Sequence, residues 1–321
     1  MMRPLIFSII FSAAAFAQIG GPFLGYVPQG TQLRPVYGLP AAGAIGSVIA
    51  SRDFSHMALP PQQYFAVVSA ADTGEVLIAS EVSAGGFNLT PISGAAANPD
   101  ILAISPGGTS AVLWFPSSNH LQAVSGLPNS PSLRDIDASF LNSSPLSIAV
   151  SDDGQWAAGL WSAGVYAFGP NNQVIPLQTD PGVVALAFFH NNHNLALATS
   201  TRATSITDVG GATQGPSLLF DYSTQSLSPR AIALSFDNQH AVVADASGML
   251  VNISVASGSA NTVDCKCSPT GLYSQGDAVF RLNGTGAPQR GAPNPELKLF
   301  DAAAGSVLIV PPALSVAGGR Q

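Results

Sequence analysis

One arrangement recurs along this chain and limits what it can fold into: a short apolar run, a tight polar turn, and a second apolar run. Residues 101–105 are followed by Pro106, Gly107 and Gly108, then by residues 110–114. The pattern returns at 146–150, 151–154 and 156–161, again at 183–188, 191–192 and 195–198, and again at 231–234, 237–238 and 241–244. Two weaker copies flank these, one pairing 47–50 with 64–69 and the other 268–271 with 278–282. Apolar runs of this length, bounded by Gly, Pro, Asn, Asp and Ser, are strands joined by hairpin turns and too short for helices. The clearest turns begin at Ser105, Ser151, Phe189 and Ser235, which are 46, 38 and 46 residues apart.

The second half of each unit is also legible. Residues 164–168, a turn at 170–172 and residues 173–177 form one further strand pair; 248–254 with 261–265, and 296–300 with 306–310, form two more. Each unit therefore reads as a four-stranded antiparallel meander, strands a to d. About 40–45 residues per meander is the period of a β-propeller blade. The first two strands of a unit are almost continuously apolar, as strands packed between neighbouring sheets must be. Six a–b pairs and seven possible c–d pairs predict an all-β propeller of six or seven four-stranded antiparallel blades, with seven favoured. An N-terminal strand pair, 23–27 with 32–37, is expected to help close the ring, because mixing terminal strands into one blade removes an exposed edge. Residues 202–228 offer two candidates for one strand c, at 203–209 and 217–222. A tandem of two Ig-like sandwiches would need longer, Greek-key connections.

Composition agrees with this class. Charged residues are 9 % of the chain, against about 25 % in an average domain. The good helix formers Lys and Glu are nearly absent: Lys266 and Lys298, and Glu75, Glu81 and Glu296, are the full set. Gly (32) and Pro (25) supply turns instead. The net charge of −7, with no basic cluster, argues against nucleic acid or an anionic membrane as partner.

The N-terminus begins Met1-Met2-Arg3-Pro4, runs apolar through residues 5–15, and carries Ala15-Phe16-Ala17 before Gln18. A positive start, a short apolar run and small residues at −3 and −1 make a secretory signal, too short to span a bilayer. The expected organisation is a signal peptide over 1–17, one propeller domain over 18–314 with terminal strands closing the ring, and a flexible tail over 315–321. The mature chain is expected to be a secreted or periplasmic monomer without a transmembrane segment.

The units, with a Ser-Pro or Ser-Asp turn between two apolar strands, resemble the WD40/YVTN-type β-propeller superfamily, although the Trp-Asp dipeptide and Gly-His pair of true WD40 blades do not occur in them. Residues 33–36, 265–272 and 278–282 also resemble exported bacterial propeller proteins. The resemblance implies a fold and an exported setting; it implies no reaction.

The candidate sites are few. Cys265 and Cys267 are the only cysteines. On an extended strand they would share a face with Cα atoms about 6.6–6.8 Å apart, the upper edge of disulfide geometry. A local disulfide is expected if the strand kinks, helped by Pro269; two thiolates alone do not complete a metal shell. His190 and His193 flank an a–b turn and His240 sits beside another. If the turns share a rim these three could approach one another, which makes them weak metal candidates, with ordinary polar turns as the plainer reading. Asp152, Asp153, Asp237 and Asn238 read as turn residues, since the oxygens of a calcium loop are missing around them. Asp135 and Asp137 read as solvated outer-strand residues, and Trp114, Trp156 and Trp161 as core. Asn88, Asn142, Asn252 and Asn283 begin Asn-x-Ser/Thr sites, relevant only in a glycosylating host. No nucleophile elbow, zinc-protease helix or P-loop is present; Gly284 and Gly286 have no helix behind them. No cofactor is expected and no catalytic residue is assigned. The expected function is non-catalytic binding or scaffolding of a protein or glycan partner through rim loops. The alternative is a lactonase-like hydrolase with a metal in the central channel, which needs carboxylate, Asn or His side chains from several blades.

Overall fold

The computed structural model describes residues 23–38, 44–46, 48, 52–83, 86–211, 215–283 and 297–310. These form seven antiparallel sheets, each paired in sequence order. Blade 1 holds Phe23–Gln29, Gln32–Tyr37 and Ala44–Ile45. Blade 2 holds Phe54–Ala58, Phe65–Ala70, Val76–Ser83 and Gly86–Pro91, and blade 3 Ile101–Ile104, Ser110–Phe115, His120–Ser125 and Ser132–Asp137. Blade 4 is Ser147–Val150, Ala157–Trp161, Gly164–Phe168 and Val174–Pro176. Blade 5 is Ala185–Phe188, Leu195–Ala198, Arg202–Ile206 and Ser217–Asp221. Blade 6 is Pro229–Leu234, His240–Asp245, Met249–Ser254 and Ala260–Asp264, and blade 7 is Gly271–Ser274, Val279–Asn283, Leu297–Asp301 and Ser306–Val310. Six sheets are four-stranded; the first has three strands among the described residues. The only helical turns there are two short 3-10 segments, and no described helix is long and apolar enough to cross a membrane.

The core shows that the sheets form a ring. Seven hydrophobic clusters are present, and each lies between two blades. Val27, Val36 and Ile45 of blade 1 pack on Leu297, Leu299 and Val310 of blade 7; Tyr26 and Leu33 pack on Phe54, Ala66 and Val68 of blade 2. Blade 1 thus meets both the last and the second blade, and the circle is complete. Each large aliphatic side chain that leaves water contributes about 1.5–3 kcal/mol, so the seven seams carry the stability.

The inner strands explain how neighbouring blades nest. Four of them share one motif: Leu102-Ala103-Ile104, Ile148-Ala149-Val150, Leu186-Ala187-Phe188 and Ile232-Ala233-Leu234. Side chains alternate along a strand, so the large pair points to one neighbouring blade and the alanine to the other. Ile148 and Val150 pack toward blade 3, and Ala149 toward blade 5. Leu186 and Phe188 pack toward blade 4, and Ala187 toward blade 6. Large residues of one blade face the small side of the blade before it, which suits wedges narrowing toward an axis.

Three details differ from the expectation. The inner strand of blade 2 is Phe54–Ala58 rather than 47–50; its register with Phe65–Ala70 runs Phe54 to Ala70 and Ala58 to Val67. Ser55 and His56 hide it from a search for apolar runs. The inner strand of blade 7 is Gly271–Ser274, three residues beyond the expected start. The ambiguous stretch resolves into Arg202–Ile206 as strand c and Ser217–Asp221 as strand d. The signal segment 1–17 and the tail 315–321 lie outside the described residues.

Candidate functional site

The a–b turns lie on one rim of the ring and are bonded to one another. Each hairpin is first closed locally. In blade 4 the Ser151 hydroxyl donates to Asp153 Oδ1 (2.6 Å) and accepts the Trp156 N–H (3.0 Å). In blade 6, Ser235 donates to Asp237 (2.6 Å) and accepts the His240 N–H (2.8 Å). The third residue after the serine has positive φ: Gly108 at 75°, Gly154 at 69° and Asn238 at 60°. The residue types tolerated there are Gly and Asn.

The remaining turn residues reach the neighbouring blade. Asp152 accepts the Gly107 N–H of blade 3 on Oδ1 (2.5 Å) and the Asn191 N–H of blade 5 on Oδ2 (2.7 Å). Its carbonyl accepts the Ser110 hydroxyl (2.8 Å). Asn238 accepts the His190 N–H (2.8 Å) and donates to the His190 carbonyl (2.9 Å). The Phe236 N–H bonds the Asp277 carbonyl (2.8 Å), and the Gly276 N–H bonds the Pro61 carbonyl (2.9 Å). The belt thus runs through the turns of blades 3 to 7 and on to blade 2, passing over blade 1.

His190, His193 and His240 lie on this rim but point to separate partners. His190 donates from Nδ1 to the Phe236 carbonyl (2.7 Å) with its ring against Phe236; its Nε2 is 3.7 Å from Asp152. His193 Nε2 pairs with Asp153 (2.9 Å), and His240 Nδ1 with Asn252 Oδ1 (3.0 Å). No group of three His, Cys, Asp or Glu side chains among the described residues could hold a metal ion. Burial opposes ionisation of Asp153, but bonds from Ser151, the Gln155 N–H and His193 outweigh it and hold the carboxyl below its ordinary value.

Cys265 and Cys267 are joined through their sulfurs, with Cα atoms 5.2 Å apart. The shortening relative to an extended strand comes at Lys266, whose φ is 49°; Pro269 is not the kink. The turn lies in the connection from blade 6 to blade 7. Buried Lys298 donates to the carbonyls of Cys265 (3.0 Å) and Lys266 (2.7 Å).

Trp114, Trp156 and Trp161 are buried at the seams around blade 4. Asp135 and Asp137 are exposed on the outer strand of blade 3.

Inside the ring, the inner strands of blades 2 to 7 line a cavity of about 300 Å³. Its described side chains are mainly apolar, with the hydroxyl-bearing Ser105, Ser147, Thr270, Tyr273 and Ser274 among them, and the free edges of the inner strands add backbone polar groups. Arg230 is the single charged lining residue, and no carboxylate, imidazole, thiol or carboxamide is among the described ones. A channel metal would need such donors, so these residues do not fit one. At the face opposite the belt, Leu146 is 73 % exposed and Val184 39 %, each just before an inner strand. Phe140, 51 % exposed, belongs to the connection leading into Leu146. Its ring meets those of Tyr166 (5.9 Å) and Phe168 (6.5 Å), and through Phe168 it continues the edge-to-face contacts of Trp161 and Trp114 in the seam.

Against solved structures, the chain is similar to the β-propeller domain of Cps50 (Swd1) from Myceliophteria thermophila. The TM-score is 0.52 at 10 % identity, over 82 % of this chain and 93 % of that one. The fold is a seven-bladed β-propeller. At this identity the likeness is one of fold alone. No family model matches the chain, and no curated protein matches it.

The features that set the two faces apart carry no motif in the sequence and emerge only when the units are aligned. Asp100, Leu146, Val184 and Arg230 each stand five residues before the start of an a–b turn, at Ser105, Ser151, Phe189 and Ser235. Aligning the units on those turns puts all four at one level of the propeller.

Proposed function

We propose that this chain is an exported, non-catalytic binding module that takes a protein partner at the face opposite the turn belt. The observation that carries the reading is the contrast between the two rims. One rim spends its polar groups on bonds between blades. The other presents Leu146 at the channel mouth, and Val184 and Phe140 on the same face, to solvent, and exposed apolar side chains on one face are the usual mark of an interaction surface. The N-terminal signal supports export, with the mature chain beginning at Gln18. The hydrolase alternative draws no support from the channel, where the described lining lacks the donors it requires.

The test is affinity capture of crosslinked partners from the exported fraction. Intact mature chain is compared with Leu146→Asp and with Gln239→Arg on the belt rim. A partner retained by intact chain and Gln239→Arg but lost by Leu146→Asp supports the reading. Equal retention by all three, or no partner at all, overturns it.

A further inference from the structure

We infer that the outer edge of blade 7, Ser306–Val310, is an interface at which two copies of this chain pair strand to strand about a two-fold axis. The edge lies on the circumference of the ring, so the inference goes beyond the binding-module reading and does not rest on it. It replaces the monomer expected from the sequence.

Each blade ends in an outer strand that has no further strand beside it among the described residues. The row of backbone N–H and C=O groups on such an edge is a template for another strand unless something blunts it. Six of the seven edges are blunted. Blade 1 ends in Ala44–Ile45, two residues long. The outer strand of blade 2 pairs through a shift of register and closes on Pro91. That of blade 3 carries Arg134, Asp135 and Asp137. That of blade 4 has three residues, the last being Pro176. Blade 5 pairs through a bulge and ends in Asp221, and blade 6 is polar there and ends in Asp264. Short length, charge, proline and bulges are the means by which sheet edges avoid one another.

Blade 7 has none of these. Its outer strand reads Ser306-Val307-Leu308-Ile309-Val310, without a charge or a proline. It pairs with Leu297–Asp301 through consecutive positions with no shift, so the edge is regular. Val307, Ile309 and Val310 are β-branched, the type that favours a strand. Ile309 is 52 % exposed, while Val310 is buried in the seam with blade 1. That burial fixes which side chains face which way, and the strand cannot slip by one residue.

The sequence of the edge selects its occupant. Turned antiparallel to itself about Leu308, the strand sets Val307 opposite Ile309 of the second copy, Ile309 opposite Val307, and Ser306 opposite Val310. Cross-strand pairs of β-branched residues are favourable, and no like charges meet. A self-complementary patch makes an isologous contact, which closes at two copies. The two blades then form one continuous sheet. An edge of this length is small beside a standard interface of about 1,200–2,000 Å², so the dimer should exchange with monomer.

The experiment is sedimentation velocity of the mature chain over a range of concentrations, with hydrogen exchange of the 306–310 amides at the lowest and the highest. Ile309→Lys puts a charge on the edge. Leu218→Lys is the control, on the bulged edge of blade 5, where Leu218 is 59 % exposed. Monomer should pass to dimer as concentration rises, and exchange at 306–310 should slow with it. Ile309→Lys should weaken association about tenfold or more, and Leu218→Lys should leave it unchanged. Both side chains are exposed, so both variants should keep the intact Tm; the exchange measurement on intact chain decides even if one does not. Monomer at every concentration, growth beyond two copies, or a dimer that survives Ile309→Lys overturns the inference. So does equal weakening by Leu218→Lys, or a dimer without slower exchange at 306–310. Slow exchange there in the monomer would mean that another part of this chain covers the edge, and overturns it as well.

Discussion

The Arg281 guanidinium lies 4.7 Å from the centre of the Tyr273 ring, inside blade 7. Arg281 is 4 % exposed, and among the described residues its Nε has no hydrogen-bond partner and no carboxylate pairs with it. Burial pushes its pKa down to about 10. Tyr273 occupies the place that the shared motif gives to alanine in blades 3 to 6, and its ring covers the buried cation.

A buried, unpaired charge is a cost that an apolar residue of similar length removes. The folded-state value lies below the ordinary one, so the folded chain disfavours the charged form. The penalty is therefore present at every pH below about 10 and eases only above it. Arg281→Met should leave the protein as stable or more stable at pH 7, by up to about 3 kcal/mol. Urea unfolding reads this directly. A loss above about 1 kcal/mol would mean that the contact with Tyr273 outweighs the desolvation.

Asp152 joins three blades through one carboxylate, with Gly107 on one oxygen and Asn191 on the other. A hydrogen bond to a charged group is worth about 1.5–3 kcal/mol. Asp152→Ala should cost about 2–4 kcal/mol in unfolding free energy, since it leaves two N–H groups facing the space it vacates. Asp152→Asn keeps one acceptor and should cost less. Equal costs would indicate that water replaces the carboxylate.

How much of this was legible beforehand follows from where the signals lie. Strand b of blades 2 to 6 is buried on both faces, so 110–114 and 241–244 stand out as unbroken apolar runs. The turns stand out because positive φ restricts them to Gly and Asn. The inner strand of blade 2 did not stand out, because Ser55 and His56 interrupt its apolar pattern. The separation of the three histidines was hidden too: sequence places them on one rim, but Phe236 and Asp153 come from the blades on either side of His190 and His193, and Asn252 stands on the next strand of the blade that carries His240.

Acid should unlock the turns in a narrow range. Asp153 and Asp237 are partly buried, which opposes ionisation, yet bonds from Ser151 and Ser235, and from the N–H groups of Gln155 and Gln239, hold both below their ordinary value. Asp245 is held down likewise by Ser247 and the Ser228 N–H. A depressed carboxyl adds stability that is fully present above the unfolded value, about 3.9, and is lost as pH falls through the folded value. From these groups, Tm should stay level from pH 7 to about pH 5 and fall below about pH 4. The double variant Asp153→Asn, Asp237→Asn should start lower and show a shallower acid limb. An acid limb of unchanged slope in that variant would place the transition elsewhere.

The Cys265–Cys267 bridge should matter less than the glycine packed beneath it. A bridge between residues two apart closes so short a loop that chain entropy assigns it only about 1.5 kcal/mol. Gly248 has φ of 101°, and a Cβ built there would stand 2.3 Å from the Cys267 carbonyl oxygen, which is backbone and cannot swing aside. Gly248→Ala therefore meets both a backbone conformation that L-residues avoid and a steric clash, and should cost about 2–4 kcal/mol. The double variant Cys265→Ala, Cys267→Ala should cost no more than about 2 kcal/mol, because Lys298 still holds the same turn through two carbonyl oxygens. Denaturant unfolding of the two proteins side by side decides the order. If removal of the bridge costs more than Gly248→Ala, the disulfide holds the turn, and the lysine contacts depend on it.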